Sequence, residues 1–173
     1  MPRKVSDSAE ELGAIVLAFT SSVRKENIRP LFEKYGLDNI QPDQWYPMRD
    51  IINLHHELLD VFDKIAWGIE IGKVVTAQSE PIPYEEYVQN LSAVYRSVHR
   101  GEGIGSVRGE LIAAGHAVIT SDTPYPDDLE YGVFYGIAKA MLPRGASVTA
   151  YYDEDTVRRD QGGDYTVYHI VWE

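Results

Sequence analysis

The hydrophobic period of this 173-residue chain changes at Gly101. Before it, apolar residues recur at three- and four-residue steps, the mark of buried helical stripes; after it, short apolar runs alternate with turns. The division predicts an α+β fold: N-terminal helices (1–100) packed on a C-terminal β-β-α-β-β antiparallel sheet (101–173), together one domain. No repeat or low-complexity segment interrupts it.

In the first part, Leu12, Ile15, Val16, Phe19 and Val23 predict a helix from Ala9 to Ile28, with Glu10 and Glu11 near its positive end. Pro30 interrupts it, and Leu31–Tyr35 closes with Gly36 as a cap. Pro47 suits the first position of a second helix, whose inner stripe runs through Ile51, Leu54, Leu58, Val61, Phe62 and Ile65. Gly68 and Gly72 leave a small face on which another helix backbone can approach closely. After Pro81 and Pro83 a further helix spans Tyr84 to about His99.

In the second part, Ser106–Ile112 and His116–Ser121 predict a hairpin after the Gly101/Gly103/Gly105 loop. A helix then begins after Pro126 with Asp127, Asp128 and Glu130 in its first turn, buries Leu129, Val133, Phe134, Ile137 and Met141, and stops at Pro143. It carries its own small stripe, Gly132, Gly136 and Ala140. Strands follow at Ser147–Tyr152 and Tyr165–Trp172. In the last, Val167 and Val171 oppose Tyr168, Ile170 and Trp172, so both faces read as covered. One side should meet the glycine-bearing helix, and the other the N-terminal helices or a partner chain.

Composition narrows the function. With 16 Lys+Arg against 27 Asp+Glu the net charge is −11, which repels phosphate backbones and anionic membranes, so no nucleic-acid partner is expected. There are no cysteines, which removes disulfides, thiolate metal sites, iron–sulfur clusters and a Cys nucleophile. No apolar run approaches the ~20 residues of a membrane span and the N-terminus lacks a signal core, so a cytoplasmic location without membrane insertion is expected.

No phosphate loop, dinucleotide fingerprint or nucleophile elbow is present, and no nucleophile–base pair is legible, so no catalytic residue is nominated. His55 and His56 lie ~100° apart on a helix and do not chelate one ion together, and no metal ligand is nominated. His169 reads as a satisfied core imidazole. Asp127/Asp128/Glu130 complement a helix dipole and Asp153/Glu154/Asp155 mark a solvated turn, with Arg158 and Arg159 as their ion-pair partners. His99 reads either as a C-terminal helix cap or as an imidazole facing a pocket between the two parts. Twelve Tyr and three Trp suit a concave site of apolar rings with polar tips. Trp67, Tyr87, Tyr95, His99, Tyr125 and Trp172 flank the inferred junctions and are the expected ligand-binding residues.

The stretch Thr123–Pro143, with Val148–Asp153 and Gly162–Trp172, resembles the 4-vinyl reductase domain. More distantly it resembles haem-nitric-oxide/oxygen-binding domains and transport-protein-particle subunits of the same fold. The resemblance implies an apolar pocket between helices and sheet, frequent dimerisation, and sensing or carriage of small hydrophobic molecules. Its haem-binding members use a proximal His on a helix and a Tyr-x-Ser-x-Arg motif before the helix that follows the hairpin. Here that segment reads Thr120-Ser-Asp-Thr-Pro-Tyr-Pro126, so haem is implied by the family but lacks its usual motif. The reading is a homodimeric sensor or signalling domain for a small hydrophobic molecule. An enzyme acting on a tetrapyrrole or similar substrate through His99, and a protein-interaction adaptor, are its alternatives.

Overall fold

The computed structural model of the chain describes residues 5–21, 25–59, 64–77 and 81–173. Strand β1 (Glu10–Leu12) leads into α1 (Gly13–Ser21), followed by α2 (Lys25–Lys34), β2 (Trp45–Pro47), α3 (Met48–Leu59), α4 (Lys64–Ala77), α5 (Tyr84–Gln89), α6 (Leu91–Val98) and β3 (His99–Arg100). The C-terminal part contributes β4 (Val107–Ala113), β5 (His116–Ser121), α7 (Asp127–Met141), β6 (Val148–Tyr152) and β7 (Thr166–Trp172). The fold is α+β, with two antiparallel sheets.

The helical part is not purely helical. Glu10–Leu12 forms the centre of a three-stranded sheet, ordered β2-β1-β3, with Glu11 opposite both Tyr46 and His99. Arg100 bridges Glu10 at 2.6 Å while its guanidinium lies 4.3 Å from the Trp45 ring, so the sheet is clamped by contacts 55 to 90 residues apart in sequence. Tertiary pairing of this kind overrides a helical period. The expected first helix therefore starts at Gly13, and the expected third helix gives way to a strand: His99 belongs to β3 and is also the C-terminal cap of α6, its Nδ1 lying 2.9 Å from the Tyr95 carbonyl oxygen in the last turn. Asn90 divides that third helix into α5 and α6. Pro30 sits inside α2 instead of ending a helix. The stripe from Ile51 to Ile65 belongs to two helices, α3 and α4; Val23, Val61 and Phe62 lie outside the described residues. Gly36 takes φ +68° at the end of α2, the left-handed conformation its cap position requires.

The C-terminal sheet runs β4-β5-β7-β6. Ala117, Ile119, Thr166, Tyr168 and Ile170 point inward and are buried. Helix α7 packs over β6 and β7, while α5 and α6 pack over β4 and β5. Both groups of helices therefore roof the same face, which corrects the alternative in which the N-terminal helices take the other side. The outer face carries Val118, Val167, His169 and Val171 half-buried, with Ile112 and Tyr151 exposed. His169 is there, not in the core; it is satisfied by Asp153 at 3.1 Å and by His116 at 2.9 Å, and stacks flat on Tyr151.

The joint between the two parts is the crossing of α4 and α7. A Cβ at Gly68 would strike the Leu129 carbonyl oxygen, and one at Gly132 the Ile65 carbonyl oxygen; Gly72 and Gly136 make the same backbone-to-backbone approach one turn on. Without side chains between them, the two helices pack with their main chains in van der Waals contact.

Candidate functional site

A cavity of about 110 Å³ lies beside this crossing, enclosed mainly by helices and reaching the C-terminal sheet at Val107. Its walls are Ile15 and Phe19 of α1, Ile71 and Val75 of α4, Leu91 and Val94 of α6, and Leu129, Val133, Phe134 and Ile137 of α7, closed by Val98 and Val107. The helical stripes expected from sequence thus meet here, but they stop short of filling the space. Of the expected ligand-binding residues, Tyr87, Tyr95, His99 and Tyr125 line the cavity. Trp67 and Trp172 do not. Trp67 lies behind Phe19, donating its indole N–H to the Phe19 carbonyl at 3.2 Å, and Trp172 stands edge-on to Tyr84 at 5.1 Å between centroids.

The polar end of the cavity is a hydrogen-bonded chain. Glu11 Oε2 lies 2.7 Å from the Tyr125 hydroxyl, the same hydroxyl lies 2.9 Å from His99 Nε2, and His99 Nδ1 lies 2.9 Å from the Tyr95 carbonyl oxygen. A carbonyl only accepts, so His99 Nδ1 must carry a proton. Two proton arrangements then satisfy every contact. In one, a protonated Glu11 donates to Tyr125, which donates to neutral His99. In the other, Tyr125 donates to a Glu11 carboxylate and an imidazolium donates at both nitrogens. Burial decides between them. It pushes Glu11 up to about 8 and His99 down to about 4, so the neutral arrangement holds at pH 7. The Tyr95 ring stacks on His99 at 4.1 Å, and its hydroxyl donates to the Ile104 carbonyl at 2.6 Å.

Sequence reasoning misses Glu11 and misreads Glu130. The apolar period puts Glu11 on a helix surface, because the strand that buries it is made by partners far along the chain. Glu130 does sit in the first turn of α7, yet its side chain turns inward to the cavity wall. It accepts from Ser121 at 2.8 Å, Thr123 at 2.6 Å and Tyr168 at 3.1 Å. Burial pushes its pKa up to about 7 against the opposing pull of Arg159 and these hydroxyls. Asp127 and Asp160 cap one another through reciprocal backbone contacts at 2.8 and 2.9 Å, and Arg159 bridges Asp127 and the Tyr125 carbonyl, fixing the segment that carries Tyr125. Arg158 pairs with Asp128.

His55 lies behind the cavity among Phe19, Trp67 and Tyr125, both ring nitrogens without a hydrogen bond; burial pushes it down to about 3. His56 is exposed. Among the described residues no group of three His, Asp or Glu side chains is arranged to hold a metal ion, and no helix is long and apolar enough to cross a membrane. The arrangement can enclose a small apolar molecule, and it can pass one proton between Glu11 and His99 without changing its total charge.

No family model and no curated protein matches the sequence. Among solved structures the chain is similar to an H-NOX protein from S. oneidensis in the Fe(II)NO ligation state, at 12% identity and TM-score 0.68, covering 94% of this chain and 99% of that one. It is also similar to a structure that probes haem distortion in the H-NOX family, at 11% identity and TM-score 0.68, covering 93% and 94%. A mutant of the T. Tengcongensis H-NOX protein gives 11% identity, TM-score 0.63, and coverage of 93% and 94%. The architecture is that of the H-NOX fold.

Proposed function

We propose that the chain is a single α+β domain that binds or senses a small apolar molecule in the cavity beside the α4–α7 crossing. The observation that carries the reading is the cavity itself: about 110 Å³ walled by aliphatic and aromatic side chains. A dry apolar cavity of comparable size, about 150 Å³, is known to take benzene or xenon. Of the expected ligand-binding residues, Tyr95, His99 and Tyr125 belong to its polar end and Tyr87 to its wall. The H-NOX fold supports a sensing role, as does the sequence resemblance to the 4-vinyl reductase domain, which also underlies the proposal of a homodimer.

The residues present do not fit the haem bound by H-NOX relatives. His99 is the one histidine on the cavity wall among the described residues, and both its nitrogens are engaged. Among the described residues no Lys or Arg lines the cavity to meet a propionate. The volume also falls well below the roughly 300–1,000 Å³ of pockets for larger ligands. The segment that would carry the Tyr-x-Ser-x-Arg motif instead supplies Ser121 and Thr123 to Glu130. The guest on this reading is much smaller than a tetrapyrrole, and an enzyme acting on one is not favoured.

Calorimetric titration with toluene tests the proposal. Saturable one-to-one binding is expected, together with a higher melting temperature; absence of binding overturns it. A parallel haem titration is expected to leave the spectrum of free haem unchanged.

A further inference from the structure

A second chamber adjoins the cavity. It measures about 10 Å³ and shares Tyr87, Leu91, Phe134 and Ile137 with the larger space, extending toward the sheet at Ile119. Its remaining lining includes Tyr84, which is 3% exposed and whose buried hydroxyl makes no hydrogen bond. Of the polar side chains that line the main cavity, Tyr95, His99, Tyr125 and Glu130 are engaged with one another or with protein groups; the unpartnered Glu11 Oε1 stands behind Tyr125 and does not line the space. A buried donor without a partner is costly and calls for an explanation. A water is a poor one: the chamber is at the lower size limit for a single water, which needs two to four polar partners, and the wall beyond the two tyrosines is hydrocarbon.

From this contrast, and resting on the proposed function, we infer that the guest is a neutral molecule with an apolar body and one hydrogen-bonding group, the body filling the main cavity and the group meeting the Tyr84 hydroxyl. A carboxylate or phosphate does not suit these walls, because among the described residues no Lys or Arg lines either space. Tyr84 itself stays un-ionised, since burial raises its pKa. It is therefore a neutral donor that selects a hydroxyl, carbonyl or ether oxygen over both a methyl group and an anion. One such site turns a general apolar cavity into a selective one, because a guest of the same shape without the oxygen leaves Tyr84 unpaired.

The test uses three probes of nearly one shape, toluene, phenol and benzoate, titrated at pH 7 into the wild-type protein and Tyr84→Phe. Wild type is expected to bind phenol at least as tightly as toluene and benzoate not at all. Tyr84→Phe is expected to weaken phenol about tenfold and to leave toluene within about twofold. Equal phenol affinity in both proteins, or measurable benzoate binding, overturns the inference while leaving the proposed function standing. Failure of every probe to bind overturns the proposed function itself. Should Tyr84→Phe not fold, the wild-type ratio alone decides: phenol binding tenfold weaker than toluene overturns the inference.

Discussion

The Tyr125 hydroxyl lies 2.7 Å from Glu11 Oε2 although the two residues are 114 positions apart. Tyr125 comes from the segment entering α7, and Glu11 from the centre of the small sheet, so this one contact ties the C-terminal part to the N-terminal part at the polar end of the cavity. Removing the hydroxyl strands two buried groups, Glu11 Oε2 and His99 Nε2. Tyr125→Phe should lower stability by about 1–3 kcal/mol, read as a lower urea midpoint at unchanged slope. A loss within a few tenths would show that the chain of contacts is not formed in solution.

Buried carboxyls and imidazoles also make the stability depend on pH, with opposite signs. Glu11 and Glu130 keep protons in the folded state up to about 8 and about 7, whereas unfolded they release them near 4.5. Their contribution to stability is full below 4.5 and is lost as pH rises through the folded values. His55 and His99 titrate near 3 and 4 folded against 6.5 unfolded, so their contribution is present above 6.5 and is lost on acidification. The two effects oppose one another between 4.5 and 6.5. Above that range only the carboxyls act, and unfolding free energy should fall by roughly 1 kcal/mol between pH 7 and 8. Glu11→Gln, which keeps a neutral hydrogen-bonding group, should flatten that decline; an unchanged slope in Glu11→Gln would assign it elsewhere.

The α4–α7 crossing should be intolerant of any side chain. Gly132→Ala places a methyl against the Ile65 carbonyl, which is main chain and has no rotamer to yield. A loss of about 1–3 kcal/mol is expected, despite the better helix propensity of alanine. Circular dichroism during urea unfolding measures it, and a gain in stability would mean that the helices sit further apart.

Filling the cavity should separate binding from folding. Ile71→Phe adds bulk to a wall residue that faces the open space. Toluene binding should drop at least tenfold while the melting temperature holds or rises, because the new ring occupies space that was empty. Loss of both together would indicate that the cavity is already tightly packed and that Ile71 is an ordinary core residue.

Much of the architecture is legible in the chain. The hairpin, the acid-started helix ending before Pro143, and the last two strands stand where the alternation of Val, Ile and Tyr with glycine turns places them, because those elements are built from neighbours in sequence. Gly68 and Gly132 likewise announce a close helix crossing. The strands at Glu10–Leu12 and His99–Arg100 are not legible. Each is two or three residues long and exists only through partners dozens of residues away, so neither leaves a period of its own. Glu11 and Glu130 are hidden for a related reason: a carboxylate near a helix start reads as exposed, and only the assembled walls turn it inward. The covering of one sheet face by both groups of helices is also beyond reach, since Val167 and Val171 on the outer side look no different from core residues.

The glycine crossing also limits how a guest could arrive. Where two main chains touch directly, no layer of side chains remains that could swing aside, so prying α4 from α7 would break the fold's central joint. Traffic into and out of the interior is left to the half-buried side chains of the cavity wall, among them Ile15, Val94 and Val98 on α1 and α6, which the crossing does not hold. Exchange should accordingly be governed by the rotamer jumps of these side chains, which are fast, and not by separation of the two halves of the molecule, which would be slow.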